Sequence, residues 1–243
     1  MKHPRLDQVL VARGLAESRE KAQRLIRAGK VHVSGRALMK PGQAIDPSAP
    51  LSVEAPERFV SRGGEKLLAA IEHWHIDLNG AVCLDVGAST GGFTDCMLQH
   101  GAARVFAVDV GRGQLHPRLL ADPRVSPLDG VNARHLTADA MPEIPTFAAI
   151  DVSFISLRLV LPPIARLLPP GGRLVTLIKP QFEAGRSEVE RGGVVRKPEI
   201  HRRVVDEIRG AGEQAGLEWR GVIESPLRGP AGNIEFLAYW TKP

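Results

Sequence analysis

Leu84-Asp-Val-Gly-Ala-Ser-Thr-Gly-Gly-Phe-Thr-Asp95 reads as a buried strand that breaks into a glycine turn and opens a helix. Ala81, Val82, Cys83, Leu84 and Val86 supply the apolar strand, and Gly87, Gly91 and Gly92 remove side chains that would block a close approach to the backbone. Asp85, Ser89 and Phe93 are the other residues of this turn that a cofactor could touch. A second apolar run, Val105 to Val108, ends in Asp109 and Val110, about where a ribose-binding carboxylate belongs in a βαβ nucleotide site. A tight strand-to-helix turn without a ligand is the plainer alternative.

Downstream, apolar strands alternate with helical stretches. Strands are expected near Val125, over Thr146 to Val152, Arg173 to Ile178, Leu217 to Ser225 and Ile234 to Trp240. Helices are expected from Gln114, over Ser156 to Leu168, and over Pro198 to Ala215. This alternation argues an α/β fold with a doubly wound, mostly parallel sheet whose ligands lie at the carboxyl ends of the strands. Asp109 suits a nicotinamide dehydrogenase as well as a methyltransferase. Asp129-Gly130 after the third strand and Asp151 after the fourth favour methyl transfer, the first beside the adenine of S-adenosylmethionine and the second facing the methyl group.

Methyl transfer to an exocyclic amine usually employs an acid or amide, two prolines and an aromatic residue, whereas the fourth strand here ends Asp151-Val-Ser-Phe154. Ring-carbon methylation needs a loop cysteine, and Cys83 and Cys96 fall in expected core elements. A hydroxyl acceptor remains. A sugar hydroxyl is a weak nucleophile and needs a positioned base, a task lysine performs when its amine is desolvated or lies beside another cation. Lys66 and Lys179 are the candidates, with an ordinary exposed strand-end lysine as the alternative for Lys179.

The chain has 243 residues, with 32 basic and 27 acidic side chains, of which 12 and 6 fall in residues 1 to 64. The positive excess therefore sits at the front, which suits a polyanionic partner, although a basic surface also aids solubility. Two cysteines make neither a disulfide framework nor a metal-ligand spacing, and His116, His135 and His201 receive no role. No apolar stretch is long enough for a membrane span and no secretory leader is visible, so a cytoplasmic protein with no membrane partner and no metal is expected.

Leu6, Val9, Leu10 and Leu15 follow helical spacing, Ser18 offers an N-cap for a second helix with Ala22, Leu25 and Ile26 inside, and Gly29 can stop it. Val31-His-Val-Ser-Gly-Arg36 follows as a strand with a turn, and Pro41-Gly42, Pro47, Pro50 and Pro56 break regular structure. Arg5, Arg19, Arg24, Arg27, Lys30 and Arg36, with Arg62 further on, are the candidate RNA contacts. Arg5-Leu-Asp7, Ser18-Arg-Glu-Lys-Ala22, Leu25-Ile26, Gly29-Lys-Val-His-Val33 and Ser34-Gly35 resemble the S-four fold, a small α+β RNA-binding domain, which implies recognition by shape and backbone charge. A helical dimerisation module is the alternative. The expected organisation is residues 1 to 57 as this domain, 58 to 65 as a linker and 66 to 243 as the α/β domain.

Ser61-Arg-Gly-Gly-Glu-Lys66, Asp85-Val-Gly-Ala-Ser-Thr-Gly-Gly-Phe93, Ile150-Asp-Val-Ser-Phe154, Lys179-Pro-Gln-Phe-Glu183 and Gly232-Asn-Ile-Glu-Phe236 together resemble the TlyA-type ribosomal RNA methyltransferases, also labelled hemolysins, whose Rossmann-like large domain is FtsJ-like. The resemblance implies S-adenosylmethionine as methyl donor, a cytidine 2′-hydroxyl in ribosomal RNA or a ribosomal subunit as acceptor, and a catalytic tetrad of Lys66, Asp151, Lys179 and Glu235. In it Lys179 accepts or relays the hydroxyl proton, Asp151 holds Lys179, and Lys66 and Glu235 complete the charge network. The rival readings are a non-catalytic RNA-binding or assembly factor and a membrane-active hemolysin. Oligomeric state is not legible.

Overall fold

The computed structural model describes residues 3–54 and 57–243; Met1, Lys2 and Pro56, the last expected as a breaker, lie outside them. The chain divides into two compact units, Met1–Glu57 and Arg58–Pro243.

In the first unit, helices α1 (Leu6–Ala12) and α2 (Arg19–Arg27) precede strands β1 (Val31–Val33), β2 (Arg36–Ala37) and β3 (Leu51–Val53). Ser18 caps α2, its Oγ accepting the Lys21 N–H at 3.2 Å. The expected strand and Ser-Gly turn form a ribbon of β1 and β2, folded back at Ser34 and Gly35 with φ of 48° and 80°. The sheet runs β2-β1-β3, all antiparallel. Leu6, Leu10, Ala22, Ile26 and Val31 are fully enclosed and form its core.

The second unit begins with α3 (Gly63–Trp74), then β4 (Val82–Val86), α4 (Gly92–Gln99), β5 (Arg104–Asp109), α5 (Pro117–Leu120), β6 (Val125–Asp129) and β7 (Phe147–Ile150). It continues through α6 (Leu157–Leu167), β8 (Arg173–Ile178), α7 (Pro180–Glu183), α8 (Pro198–Gln214), β9 (Glu218–Glu224) and β10 (Phe236–Thr241). The seven-stranded sheet has the order β6-β5-β4-β7-β8-β10-β9. The first five strands of that order are parallel, and β10 is antiparallel to both of its neighbours. Alternate residues feed two cores. Cys83, Val105, Phe147 and Val175 face the side covered by α3 and α4, and Leu84, Phe106, Ile150 and Leu174 face the side covered by α6 and α8. Burial on both faces explains why these strands read as continuous apolar runs.

Two expectations need correction. Residues 58 to 65 are no linker: Phe59 is packed in the first of these cores, the Val60 N–H is bound by Asp95 Oδ2 at 2.8 Å, and Gly63 opens α3. The helix expected from Gln114 shrinks to the four residues of α5. Asp109 Oδ1 accepts the Gly111 N–H and Asp129 Oδ2 the Gly113 N–H, which fixes the approach as a loop, and Pro117 then starts the helix.

Candidate active site

Strand order reverses between β4 and β7, and a crevice opens there beyond the strand ends. Gly87 follows β4, Asp109 ends β5, Asp151 follows β7 and Lys179 follows β8. The Asp151 N–H continues the ladder to Val86 O at 2.9 Å, and a Cβ on Gly87 would lie 2.4 Å from Asp151 O. With its φ of 88°, Gly87 is the residue that lets these two chains approach.

Two cavities share Gly87, Ser89, Asp151, Ser153 and Phe154 as a common wall. The first, of 450 Å³, is lined by Asp109, Val110, Val131, Asn132 and Ile155 among others. Asp109 is held from both sides, with Oδ2 accepting the Ser89 N–H at 2.8 Å and Oδ1 the Gly111 N–H at 2.7 Å. A fixed carboxylate between apolar walls suits a nucleoside, its ribose diol on the acid and its base between Val110 and Val131. Gly92 and Phe93 line the second cavity, although Phe93 is also packed into the core.

Four expected cofactor contacts line neither cavity. Asp85 is fully buried and works from beneath the turn: its Oδ2 accepts the Thr94 N–H at 2.8 Å and the Thr94 hydroxyl at 2.6 Å. Burial pushes its carboxyl up to about 7, against those two hydrogen bonds. Gly91, with φ of 96°, packs against Leu119 and Leu115. Asp129 holds the Gly113 loop, and Gly130 lies under the Arg112 guanidinium. The far end of the nucleoside cavity is built instead by Val131, Asn132 and Ala133.

The second cavity, of 440 Å³, gathers Lys66, Asp151, Lys179 and Glu235 from four separate elements. Antiparallel pairing sets Phe236 of β10 opposite Ile178 of β8, so Glu235 and Lys179 emerge side by side. The four charges form two pairs. Lys66 Nζ lies 2.5 Å from Glu235 Oε2 and Lys179 Nζ 2.5 Å from Asp151 Oδ1, with only 12% and 11% of the lysine side chains exposed. Removing one member of such a pair leaves an uncompensated charge, at a cost of about 3–5 kcal/mol.

Several residues that the sequence reading passed over support this arrangement. Gln181 Nε2 reaches Glu235 Oε1 at 3.5 Å, and Lys179 Nζ donates to Ser153 Oγ at 3.0 Å. Phe154 is 90% exposed at a φ of 62°, with its ring centroid 5.0 Å from that of Phe182. Glu183, raised above the usual carboxylate range by burial, pins the loop between them by accepting the Ser156 hydroxyl at 2.6 Å and the Leu157 N–H at 2.7 Å. Buried Asn233 clasps the approach to β10, taking the Val195 N–H and donating to Gly193 O. Gln181, Phe182 and Glu183 lie in a stretch already singled out by its lysine, and an aromatic residue in a polar loop was the signal at Phe154.

In the first unit, Arg5 and Arg19 are tied to the buried Asp7 at 3.1 and 3.2 Å. The Arg5 hydrogen bond holds the Asp7 carboxyl down at about 2. Arg24, Arg27 and Arg36 are exposed, Lys30 is half-buried, and none of them is in an ion pair among the described residues. Arg62 is exposed at the start of α3 on the rim of the tetrad cavity. Among the described residues no three His, Cys, Asp or Glu side chains are grouped to hold a metal, and no helix is long and apolar enough to cross a membrane.

Residues 59–242 match the family described as FtsJ-like methyltransferase, and residues 4–50 match the S4 domain. The chain is 44% identical over 237 residues to the 16S/23S rRNA (cytidine-2′-O)-methyltransferase TlyA of Mycobacterium tuberculosis, covering 97% of this chain and 88% of that one. It is 40% identical to Hemolysin A of Brachyspira hyodysenteriae, covering 97% of this chain and 99% of that one. A hemolysin-like structure from Streptococcus thermophilus, 43% identical, superposes with a TM-score of 0.77 over 100% of this chain and 89% of that chain. An S-adenosylmethionine-dependent methyltransferase from Mesorhizobium loti shares the fold at a TM-score of 0.55 and 15% identity, covering 72% of this chain and 96% of its own. The chain belongs to the FtsJ-like methyltransferases, within the group that includes TlyA and hemolysin A and that joins this catalytic fold to an S4 domain.

Proposed function

We propose that this protein transfers a methyl group from S-adenosylmethionine to the 2′-hydroxyl of a ribose in ribosomal RNA, that of a cytidine as in the mycobacterial relative, and that it works in the cytoplasm. The observation that carries the reading is the cluster of two lysine–carboxylate pairs in a cavity whose wall is shared with a nucleoside-shaped one. Asp109, Val110 and Val131 would hold the ribose and adenine of the donor, and Gly87, by letting the ends of β4 and β7 approach, keeps Asp151 on the wall of the same cavity. When bound, S-adenosylmethionine supplies an electrophilic methyl group on a positively charged sulfur.

This chain's residues handle the proton. Lys179, once its ammonium has released one proton to solvent, takes the proton from the ribose hydroxyl as the oxygen gains its methyl group, and the Asp151 carboxylate neutralises the ammonium that forms again. Lys66 and Glu235 cancel each other's charge and present a fixed polar wall to the sugar. Phe154 offers an exposed ring on which the base of the target nucleotide stacks. Arg24, Arg27, Lys30 and Arg36 of the S4 domain, with Arg62, supply phosphate contacts. Arg5 and Arg19 contribute less, because Asp7 already engages both.

The test is transfer of labelled methyl from S-adenosylmethionine to purified ribosomal subunits, followed by mapping of the linkages that resist alkali. Label in a single alkali-resistant dinucleotide is expected. Label on a base, or none, overturns the proposal. Lys179→Met should lower kcat by about 10²–10⁴ while calorimetry finds cofactor affinity unchanged; near-normal turnover in that variant removes Lys179 from proton transfer.

A further inference from the structure

Lys179 has its Nζ 5.9 Å from the centroid of the Phe182 ring and two closer polar neighbours that do different things. Its Nζ lies 2.5 Å from Asp151 Oδ1, yet that oxygen accepts no hydrogen bond of acceptable angle among the described residues. The contact is charge pairing, which depends on distance far more than on direction. The directional contact is the 3.0 Å hydrogen bond that Nζ donates to Ser153 Oγ.

Ser153 has no other employment in the fold. The N-cap of α6 is Ser156, three residues on, and the Ser153 hydroxyl makes no further hydrogen bond among the described residues. It stands between Asp151 and Phe154 on the wall common to both cavities. Its loop is fixed at the far end by Glu183 and carries the left-handed backbone of Phe154. An exposed serine is thus set against a largely enclosed amine.

The requirements of an amine base give that contact a use. To act as base, the ammonium paired with Asp151 first releases one proton to solvent; the neutral amine that results carries two N–H bonds and one lone pair, and rotation about Cε–Nζ decides which of the three faces the substrate. Proton transfer needs the lone pair aimed at the hydroxyl. Committing one N–H to Ser153 fixes the rotor to two settings, and the Asp151 charge draws the second N–H toward itself. The lone pair then occupies the remaining direction.

We infer that Ser153 is a positioning residue for Lys179, its hydroxyl holding the amine so that the lone pair meets the ribose hydroxyl. This rests on the methyl-transfer reading above. It assigns to Ser153 the first restraint on the rotor and to Asp151 both the charge and the choice between the two settings left, and it gives a role to a residue outside the tetrad.

The test uses Ser153→Ala and Ser153→Thr in the full chain, with two independent readouts. In steady-state transfer to ribosomal subunits, Ser153→Ala should lower kcat about tenfold, with KM for S-adenosylmethionine and for RNA unchanged within twofold, and Ser153→Thr should restore most of the rate. In the cofactor-free protein, the ¹⁵N order parameter of the Lys179 ammonium, identified by its loss in Lys179→Met, should fall in Ser153→Ala and recover in Ser153→Thr. Unchanged kcat or unchanged order in the alanine variant overturns the inference. So does a kcat loss accompanied by a comparable rise in KM for the cofactor, which would make Ser153 a binding residue. If the wild-type protein transfers no methyl to RNA, the methyl-transfer reading fails instead, while the ammonium order still reports whether Ser153 holds the amine.

Discussion

Asp85 and Asp7 are both enclosed acids, and their surroundings drive them in opposite directions. Asp85, raised to about 7 by burial, lends stability that is complete below the ordinary carboxylate range and is lost as pH climbs through 7. From the shift away from 3.8 the loss is on the order of 4 kcal/mol at most. Thermal unfolding of the cofactor-free protein should therefore show Asp85→Asn gaining on wild type between pH 5 and pH 8; parallel curves would refute the account. Asp7, held at about 2 chiefly by Arg5, keeps its contribution above pH 4 and loses it only as pH falls through 2. At this scale the sequence was partly legible. Asp151 and Lys179 stood out as charged residues after apolar strands and Lys66 as a second candidate base, whereas Glu235 and the grouping of the four came only from the resemblance to the FtsJ-like methyltransferases. Asp85 was misassigned because a carboxylate beneath a turn and one lining it have the same neighbours in sequence. Ser153 and Gln181 lay in stretches singled out for Asp151 and Lys179 but had no mark of their own, since only three-dimensional proximity to a lysine or a glutamate distinguishes them.

Among the elements, α3 and α4 depend on small residues where they meet. A Cβ on Gly64 would lie 2.2 Å from Phe59 Cγ, and one on Gly92 would lie 2.3 Å from Ser61 Oγ and 2.9 Å from Gly64 N. Gly64→Ala should lower stability by about 1–3 kcal/mol in a denaturant titration, the range for overpacking a filled core; a change below 0.5 kcal/mol, within the usual scatter for surface sites, would mean Phe59 swings aside freely. Strands with two buried faces were easy to read, because most of their positions are apolar. The stretch from Arg58 to Glu65 was not: its glycines look like a hinge in one dimension and turn out to be the clearance for a helix contact. The loop before α5 was misread for a related reason, since its glycine N–H groups are bound by carboxylates from two different strands.

At the level of the molecule, the proposed function has the basic residues of Met1–Glu57 bind RNA and the methyltransferase fold of Arg58–Pro243 bind the cofactor. Removing residues 1 to 57 should leave cofactor affinity intact while lowering RNA affinity and flattening its dependence on salt, read by filter binding from 50 to 200 mM salt. An unchanged salt slope would contradict this. A cut made after residue 60 would give a misleading answer by also removing Phe59 from the core. Lys66 and Glu235 meet across 169 residues of chain. A polypeptide emerging during translation displays that cation long before its counter-charge exists, and only the arrival of β10 brings the two together. This pair thus closes in one late step, and a prematurely terminated product carries Lys66 without its counter-charge.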